Sequence, residues 1–105
     1  MTDAMLVLTT LPNSEVAAEV AKKVVGEKLA ACANILPPLR SIYRWQGKIQ
    51  DENEVLVLLK TRQQQFERLK QRILELHPYD VPEVIAIPVE QGHEAYLDWI
   101  ASETG

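Results

Sequence analysis

Two side chains in this sequence are candidates for binding a transition-metal ion, Cys32 and His77. Cys32 is the only cysteine, and its thiolate would suit a soft ion such as Cu(I). Its neighbours are alanines, however, and cysteine in such surroundings also serves as a small buried hydrophobe. His77 ends a helical pattern, where the helix dipole favours a protonated ring that contacts terminal carbonyls, although neutral imidazole is a common metal ligand. Packing and metal ligation therefore both remain open for these two residues.

Carboxylates are densest at Asp51, Glu52 and Glu54. Hard cations prefer such oxygens, but the spacing does not match a calcium-binding loop, and a solvated strand face explains the group equally well. Glu83 and Glu90 flank a predicted strand, without a nucleophile or a phosphate-binding loop beside them. The sequence therefore predicts a protein without catalytic activity.

Six further residues combine apolar area with a polar end, which suits both subunit interfaces and ligand pockets. We predict that they line an inter-subunit or ligand-binding cleft. They are Tyr43, Trp45, Lys60, Tyr79, Tyr96 and Trp99.

Length and charge limit the classes of protein to consider. A chain of 105 residues fits a single domain, residues 1–105. Eleven Lys and Arg against fifteen Asp and Glu give a net charge of −4, which disfavours nucleic-acid binding. The first residues lack the positive start of a signal peptide, the apolar stretches are too short to span a membrane, and one cysteine cannot form an internal disulfide. We therefore expect a cytoplasmic protein without membrane or nucleic-acid partners.

Hydrophobic periodicity predicts four strands and three helices. Asn13 is expected to cap the first helix, Thr61 and Gln64 to form a capping box before the second, and Gln46-Gly47 to form a tight turn. The predicted segments are a strand over 5–11, a helix ending near 26–28, a strand over 29–36 that resumes over 39–45 after Pro37-Pro38, a strand over 48–60, a helix that follows the cap at Thr61 and ends at His77-Pro78, a strand over 83–89 and a helix over 92–102.

This order is β-α-β-β-α-β followed by a C-terminal helix. Right-handed crossovers fold it into an α+β, ferredoxin-like sandwich with both main helices on one face of an antiparallel sheet. The second and fourth predicted strands then form the edges. Pro37, Pro38 and Pro88 fall on those two strands, where a missing N–H can face outward.

The hairpin formed by the second and third predicted strands is too long for its own domain. Its third strand, over 48–60, would extend roughly 43 Å at ~3.3 Å per residue, against a diameter of roughly 33 Å for a compact chain of this size. The projecting part carries Ile42, Tyr43 and Trp45, and aromatic side chains on a projecting ribbon need a surface to cover them. We therefore expect copies of the chain to associate through this hairpin.

Several segments together resemble the CutA divalent-cation-tolerance family. They are Lys28-Leu-Ala-Ala-Cys-Ala-Asn34, Ser41-Ile-Tyr-Arg-Trp-Gln-Gly-Lys48, Leu59-Lys-Thr61, His77-Pro-Tyr-Asp-Val-Pro-Glu83 and Tyr96-Leu-Asp-Trp99. The resemblance implies a ferredoxin-like homotrimer held by extended hairpins, a role in tolerance to copper and other divalent cations, and copper binding. Some members have a cysteine at the position of Thr9 and a histidine at that of Leu76, both associated with copper. Only His77 of that set is present here, so we expect no required cofactor and at most weak binding of copper or another divalent cation.

Two other hypotheses remain beside metal tolerance by binding or signalling. The fold implied by the resemblance is shared with PII-type trimers, so the chain could sense a small anionic metabolite between subunits. It could also act as a structural platform that assembles with a partner protein.

Overall fold

A computed structural model describes residues 2–105 and contains five strands and three helices within that range. A 3₁₀ turn, Gln63–Gln65, leads into the second helix. The elements are β1 (Ala4–Leu11), α1 (Ser14–Gly26), β2 (Cys32–Ile35), β3 (Leu39–Trp45), β4 (Lys48–Arg62), α2 (Phe66–Leu76), β5 (Ile85–Pro88) and α3 (Glu94–Ser102).

The strands form one antiparallel sheet in the order β2-β4-β1-β5, and β3 pairs with the other half of β4. This is the predicted α+β, ferredoxin-like arrangement with an additional C-terminal helix. The edge strands of the main sheet are β2 and β5, as expected. Pro88 ends β5, and Pro37-Pro38 separates β2 from β3, so none of these prolines interrupts a central strand.

One face of the sheet carries both main helices and the larger core. Alternate residues of β4, Val55, Val57 and Leu59, are almost fully buried there because strand side chains alternate between faces. They pack with Val20 and Val24 of α1. Asn13 caps α1 as predicted, its side chain accepting a hydrogen bond from the Val16 N–H at 2.9 Å.

The opposite face is covered by α3 at one end only, where Ile100 packs against Ala4 and Ala31. Across the rest of this face, apolar side chains of β1, β4 and β5 are partly or largely exposed. The side chains of Ile85 and Ile87 are 52% and 50% exposed. The other members of this open face are Leu6, Leu8, Leu56 and Leu58, which are half-buried.

The predicted capping box at Thr61 is wrong. Thr61 belongs to β4, where its hydroxyl donates a hydrogen bond to the carbonyl of Leu29 at 2.7 Å. The strand therefore runs to Arg62, and α2 is entered through the 3₁₀ turn without a side-chain cap. Pairing with β1 and burial of Thr61 outweigh the local capping motif.

The second predicted strand is also shorter than expected, because β2 begins only at Cys32. Lys28 has a φ of 61° and turns the chain out of α1. The turn at Gln46-Gly47 is present, with positive φ at both residues, as a type I′ hairpin turn requires.

The hairpin projects from the domain, as predicted. Residues 48–54 of β4 pair only with β3, and pairing with β1 begins at Val55. This two-stranded part, residues 39–54, is called the ribbon below. It contributes to an elongated chain of 44 × 25 × 24 Å, and on one of its faces Ile42 and Ile49 are 65% and 62% exposed.

Candidate functional site

A cleft of about 790 Å³ lies between one face of the ribbon and the loop that follows α2. Cross-strand pairs such as Tyr43 with Gln50 and Ser41 with Glu52 place alternate residues on this face. The wall opposite comes from the loop over 78–83. The lining residues are Thr10, Ser41, Ile42, Tyr43, Trp45, Gln50, Glu52, Glu54, Pro78, Tyr79, Asp80, Val81 and Glu83.

Glu54 is the most buried carboxylate of the cleft, with 7% of its surface exposed. The hydroxyl of Tyr79 donates a hydrogen bond to its Oε2 at 2.9 Å. Burial, together with this hydrogen bond to Glu54, raises the pKa of Tyr79 well above its ordinary value. Tyr79 therefore stays neutral and keeps its proton available for Glu54.

His77 lies behind this wall, buried, with both ring nitrogens engaged. Nε2 lies 2.7 Å from the carbonyl oxygen of Thr10, and the N–H of Tyr79 donates to Nδ1 at 3.2 Å. The carbonyl can only accept and the N–H can only donate, so the ring is neutral with its proton on Nε2. Desolvation lowers the pKa of His77, partly opposed by its hydrogen bond to the Thr10 carbonyl and by the negative charge of Glu54. A metal ion on His77 would have to displace one of these two hydrogen bonds.

The cleft is strongly acidic. Four carboxylates line it, and within residues 2–105 its lining contains no Lys, Arg or His. Burial and the nearby charge of Glu54 raise the pKa of Glu83. Desolvation, followed by the charge and hydrogen bonding of Glu52, raises the pKa of Tyr43. This potential favours cations and repels anions.

The acidic group noted in the sequence is divided between the two faces of the ribbon. Asp51 lies on the face away from the cleft, in a two-bond contact with Arg40 at 2.6 and 2.7 Å. This contact lowers the pKa of Asp51. Glu52 and Glu54 line the cleft instead, so the three carboxylates do not converge on one cation.

Cys32 lies on the edge strand β2, half-buried, opposite Lys60. Its Sγ lies 3.7 Å from Oδ1 of Asn34. His77 contacts Thr10 of β1, and Thr10 pairs with Leu56 of β4. Leu56 is four residues from Lys60, the partner of Cys32, so His77 and Cys32 lie at different positions along β4. Within residues 2–105 no group of three or more His, Cys, Asp or Glu side chains is placed to hold a metal ion. A single chain therefore does not preassemble the copper site that the resemblance suggested.

The six residues predicted to share a cleft form two groups within one chain. Tyr43, Trp45 and Tyr79 line the cleft described above. The other three lie together where α3 meets β4. The rings of Tyr96 and Trp99 are 5.5 Å apart, and the ammonium of Lys60 lies 5.5 Å from the centre of the Tyr96 ring.

The pairing of Glu54 with Tyr79 and the position of Glu83 in the same cleft were not predicted from the sequence. One signal was available for Glu54, because it directly precedes the apolar run of β4 and so lies where the ribbon enters the sheet. The segment over 78–83 carries no regular pattern, so its fold over the ribbon required the tertiary structure.

Three comparisons identify similar proteins. The model of the CutA1 divalent ion tolerance protein family matches residues 5–103. The divalent-cation tolerance protein CutA of Thermus thermophilus is 51% identical, over 95% of this chain and 97% of that protein. A structure of the Thermus thermophilus divalent cation tolerance protein superposes with a TM-score of 0.95 at 50% identity, covering 97% of this chain and 99% of that one.

The chloroplastic CutA protein of Arabidopsis thaliana is 45% identical over 96% of this chain. The chain spans only 56% of that longer protein. Between residues 2 and 105 no helix has the length and apolar character needed to cross a membrane. With a family match over nearly its whole length, the chain belongs to the CutA1 divalent ion tolerance family.

Proposed function

We propose that this chain acts in divalent-cation tolerance as a homotrimer in the cytoplasm, by binding or signalling and without catalysis. The observation that carries the assembly is the large apolar surface that one chain leaves open. It comprises the half-buried leucines of the open sheet face, the exposed Ile85 and Ile87, and the projecting ribbon with Ile42 and Ile49. Surfaces of this kind are covered in stable proteins.

The shape of the chain suits a closed ring in which the ribbon of each copy contacts a different surface of the next. The ribbon projects at one end, whereas the open sheet face and the free edge of β5 lie on the body of the domain. Contact between two different surfaces is heterologous, and heterologous contacts close into rings when the rotation permits. In a ring of three, each ribbon would reach the open face or edge of the next copy, which brings the predicted cleft residues to the seams.

Metal binding in this proposal is weak and requires more than one chain. Cys32 and His77 remain the proposed ligands, but each has a single donor and they lie apart. A stable site needs three or four donors with matched geometry. Neighbouring copies would have to supply the others, with Cys32 suiting copper in its soft, reduced state.

Calorimetric titration of copper and zinc into the assembled protein tests the metal part of the proposal. Wild type is compared with Cys32→Ser and His77→Ala, and sedimentation of the same samples reports the oligomeric state. Binding that is reduced in either variant supports that residue as a ligand. Binding that neither substitution changes removes both residues as ligands, and sedimentation as a monomer at micromolar concentration rejects the trimer.

A second candidate function is a PII-like sensor of a small anionic metabolite. The acidic cleft repels anions, so this function would use the cluster of Lys60, Tyr96 and Trp99, where a cation lies over the Tyr96 ring and that ring lies beside Trp99. Thermal-shift measurements with nucleotides and with metal salts separate the two functions. A shift with nucleotides that Lys60→Gln abolishes favours the sensor.

A further inference from the structure

The aromatic and acidic lining of the ribbon cleft has no part in the proposed metal ligation. Tyr43, Trp45 and Tyr79 contribute rings, and Glu52 and Glu83 contribute exposed carboxylates. The volume of about 790 Å³ lies within the range of small-molecule sites. A site with this lining selects its ligand by positive charge and by apolar area together.

Aromatic rings favour an organic cation over a bare metal ion. The faces of Trp and Tyr attract alkylammonium groups and also cover the methylene groups attached to them. Calcium needs six to eight oxygen ligands around one point. Among the described residues, from 2 to 105, the carboxylates of this cleft do not gather into a metal-holding group. Carboxylates distributed along a cleft match a ligand whose charges are also distributed.

We propose that the ribbon cleft binds an extended alkylammonium compound, a di- or polyamine. Its ammonium groups contact the carboxylates of Glu52, Glu54 and Glu83, and its methylene chain crosses the rings of Tyr43 and Tyr79. Glu54 already accepts one hydrogen bond from Tyr79 on Oε2, which leaves Oε1 to accept from an ammonium group. This function goes beyond cation tolerance, and because all of these groups belong to one chain, it does not require the trimer.

The same chemistry has a second source in the assembly. A lysine side chain is also an alkylammonium, and Lys60 lies beside Tyr96 in the other half of the predicted inter-subunit cleft. A free polyamine and the lysine of a neighbouring copy would compete for the same carboxylates. The experiment therefore includes a variant that removes this lysine.

Calorimetric titration of the 105-residue chain with spermidine and with putrescine tests the proposal. Butanediol is the uncharged control for putrescine, and magnesium is the control for charge alone. Glu52→Gln/Glu83→Gln removes two exposed carboxylates from the cleft, and Tyr43→Leu removes a ring without changing charge. Glu19→Gln/Glu90→Gln removes the same charge from exposed positions outside the cleft lining. Lys60→Gln tests competition by the neighbouring copy.

We expect spermidine to bind more tightly than putrescine, and butanediol not to bind. The double substitution in the cleft should weaken binding by roughly tenfold or more, and the control pair by no more than about twofold. If spermidine binds the Lys60→Gln variant but not wild type, the lysine of a neighbouring copy occupies the cleft in wild type. The proposal is rejected if spermidine binds neither wild type nor Lys60→Gln, or if the two double variants weaken binding equally. Sedimentation of the same samples reports the trimer separately.

Discussion

Tyr79, in the loop after α2, donates a hydrogen bond to Glu54 of β4 across 2.9 Å. This contact joins the two walls of the cleft, because Glu54 lies where the ribbon enters the sheet and Tyr79 lies in the opposing loop. A nearly buried carboxylate needs such a donor, since an unpaired one carries a large desolvation cost. The loop over 78–83 is therefore held to the ribbon by a polar contact as well as by packing.

Tyr79→Phe should destabilise the protein by about 1–3 kcal/mol, because Glu54 loses its donor while it remains buried. Urea denaturation of wild type and variant measures the change. Tyr96→Phe is the matched control, since the Tyr96 ring is 40% exposed and the same atom is removed. Equal stability of Tyr79→Phe and Tyr96→Phe would show that solvent replaces the Tyr79 hydroxyl at no cost.

His77 gives the stability a defined dependence on pH. Desolvation lowers its folded-state pKa below the ordinary 6.5, so the unfolded chain binds a proton more readily than the folded one. The contribution of this residue is therefore fully present above about pH 6.5 and is lost as the pH falls through and below that value. Protonation of Nδ1 would also displace the N–H of Tyr79. We expect the free energy of unfolding to fall between about pH 7.5 and pH 5.

The His77→Asn variant isolates this effect because it has no titrating group at the site. Its overall stability should be lower, but its loss of stability between about pH 7.5 and pH 5 should be smaller than in wild type. Denaturant unfolding at a series of pH values compares the two slopes. If the free energy of unfolding changes equally with pH in wild type and His77→Asn, other groups cause the pH dependence.

Glu83 should act in the opposite direction. Its folded-state pKa is raised above 4.5 by partial desolvation against the cleft wall and by the charge of Glu54, so its ionised form is less favourable in the folded chain. Glu83→Gln should therefore stabilise the protein at pH 7, by less than about 1 kcal/mol because the side chain is exposed to solvent. The gain should disappear below about pH 4.5, where the wild-type carboxyl is protonated in both states. A variant that is less stable than wild type at pH 7 would contradict this account.

The ferredoxin-like order, the sheet edges and the overhanging hairpin could all be predicted from the sequence. Each depends on periodic burial or on strand length, which local sequence records directly. The continuous apolar run over 55–59 illustrates the point, because it predicts a central strand, whereas only the structure shows that Val55, Val57 and Leu59 face the helices. The end of β4 could not be predicted in this way. The Thr61 hydroxyl, instead of capping the helix, donates a hydrogen bond to a backbone carbonyl 32 residues earlier in the chain.

The candidate site was less predictable than the fold. Residue type marked Tyr43, Trp45 and Tyr79 as cleft residues, since large aromatic side chains with polar ends suit such positions. Within one chain these residues are separated from Lys60 because their elements contact the opposite end of β4. Local sequence patterns do not show which end of a strand another element will contact.

Thr104 holds the segment after α3 against β4. Arg62 donates to its hydroxyl oxygen and to its carbonyl oxygen, both at 2.8 Å. The Thr104 hydroxyl in turn donates to the carbonyl of Ile100 at 2.9 Å, and the residue is only 5% exposed. Thr104→Val should cost about 1–3 kcal/mol, because it keeps the shape but leaves the Nε of Arg62 without its acceptor. Ser102→Ala, which removes an exposed hydroxyl, should cost less in the same denaturation assay, and equal losses would exclude a special role for Thr104.

Trp45 ends β3 at the tip of the ribbon and is 39% exposed in the single chain. If the ribbon packs on a neighbouring copy, Trp45→Glu places a charge in an apolar contact and should weaken assembly by about tenfold or more in dissociation constant. Leu74→Glu is the control, because it adds the same charge at a residue of α2 that is 41% exposed and lies away from the ribbon. Sedimentation velocity over a range of protein concentrations should show smaller species for Trp45→Glu and the wild-type assembly for Leu74→Glu. The wild-type assembly in both variants would remove the ribbon tip from the interface.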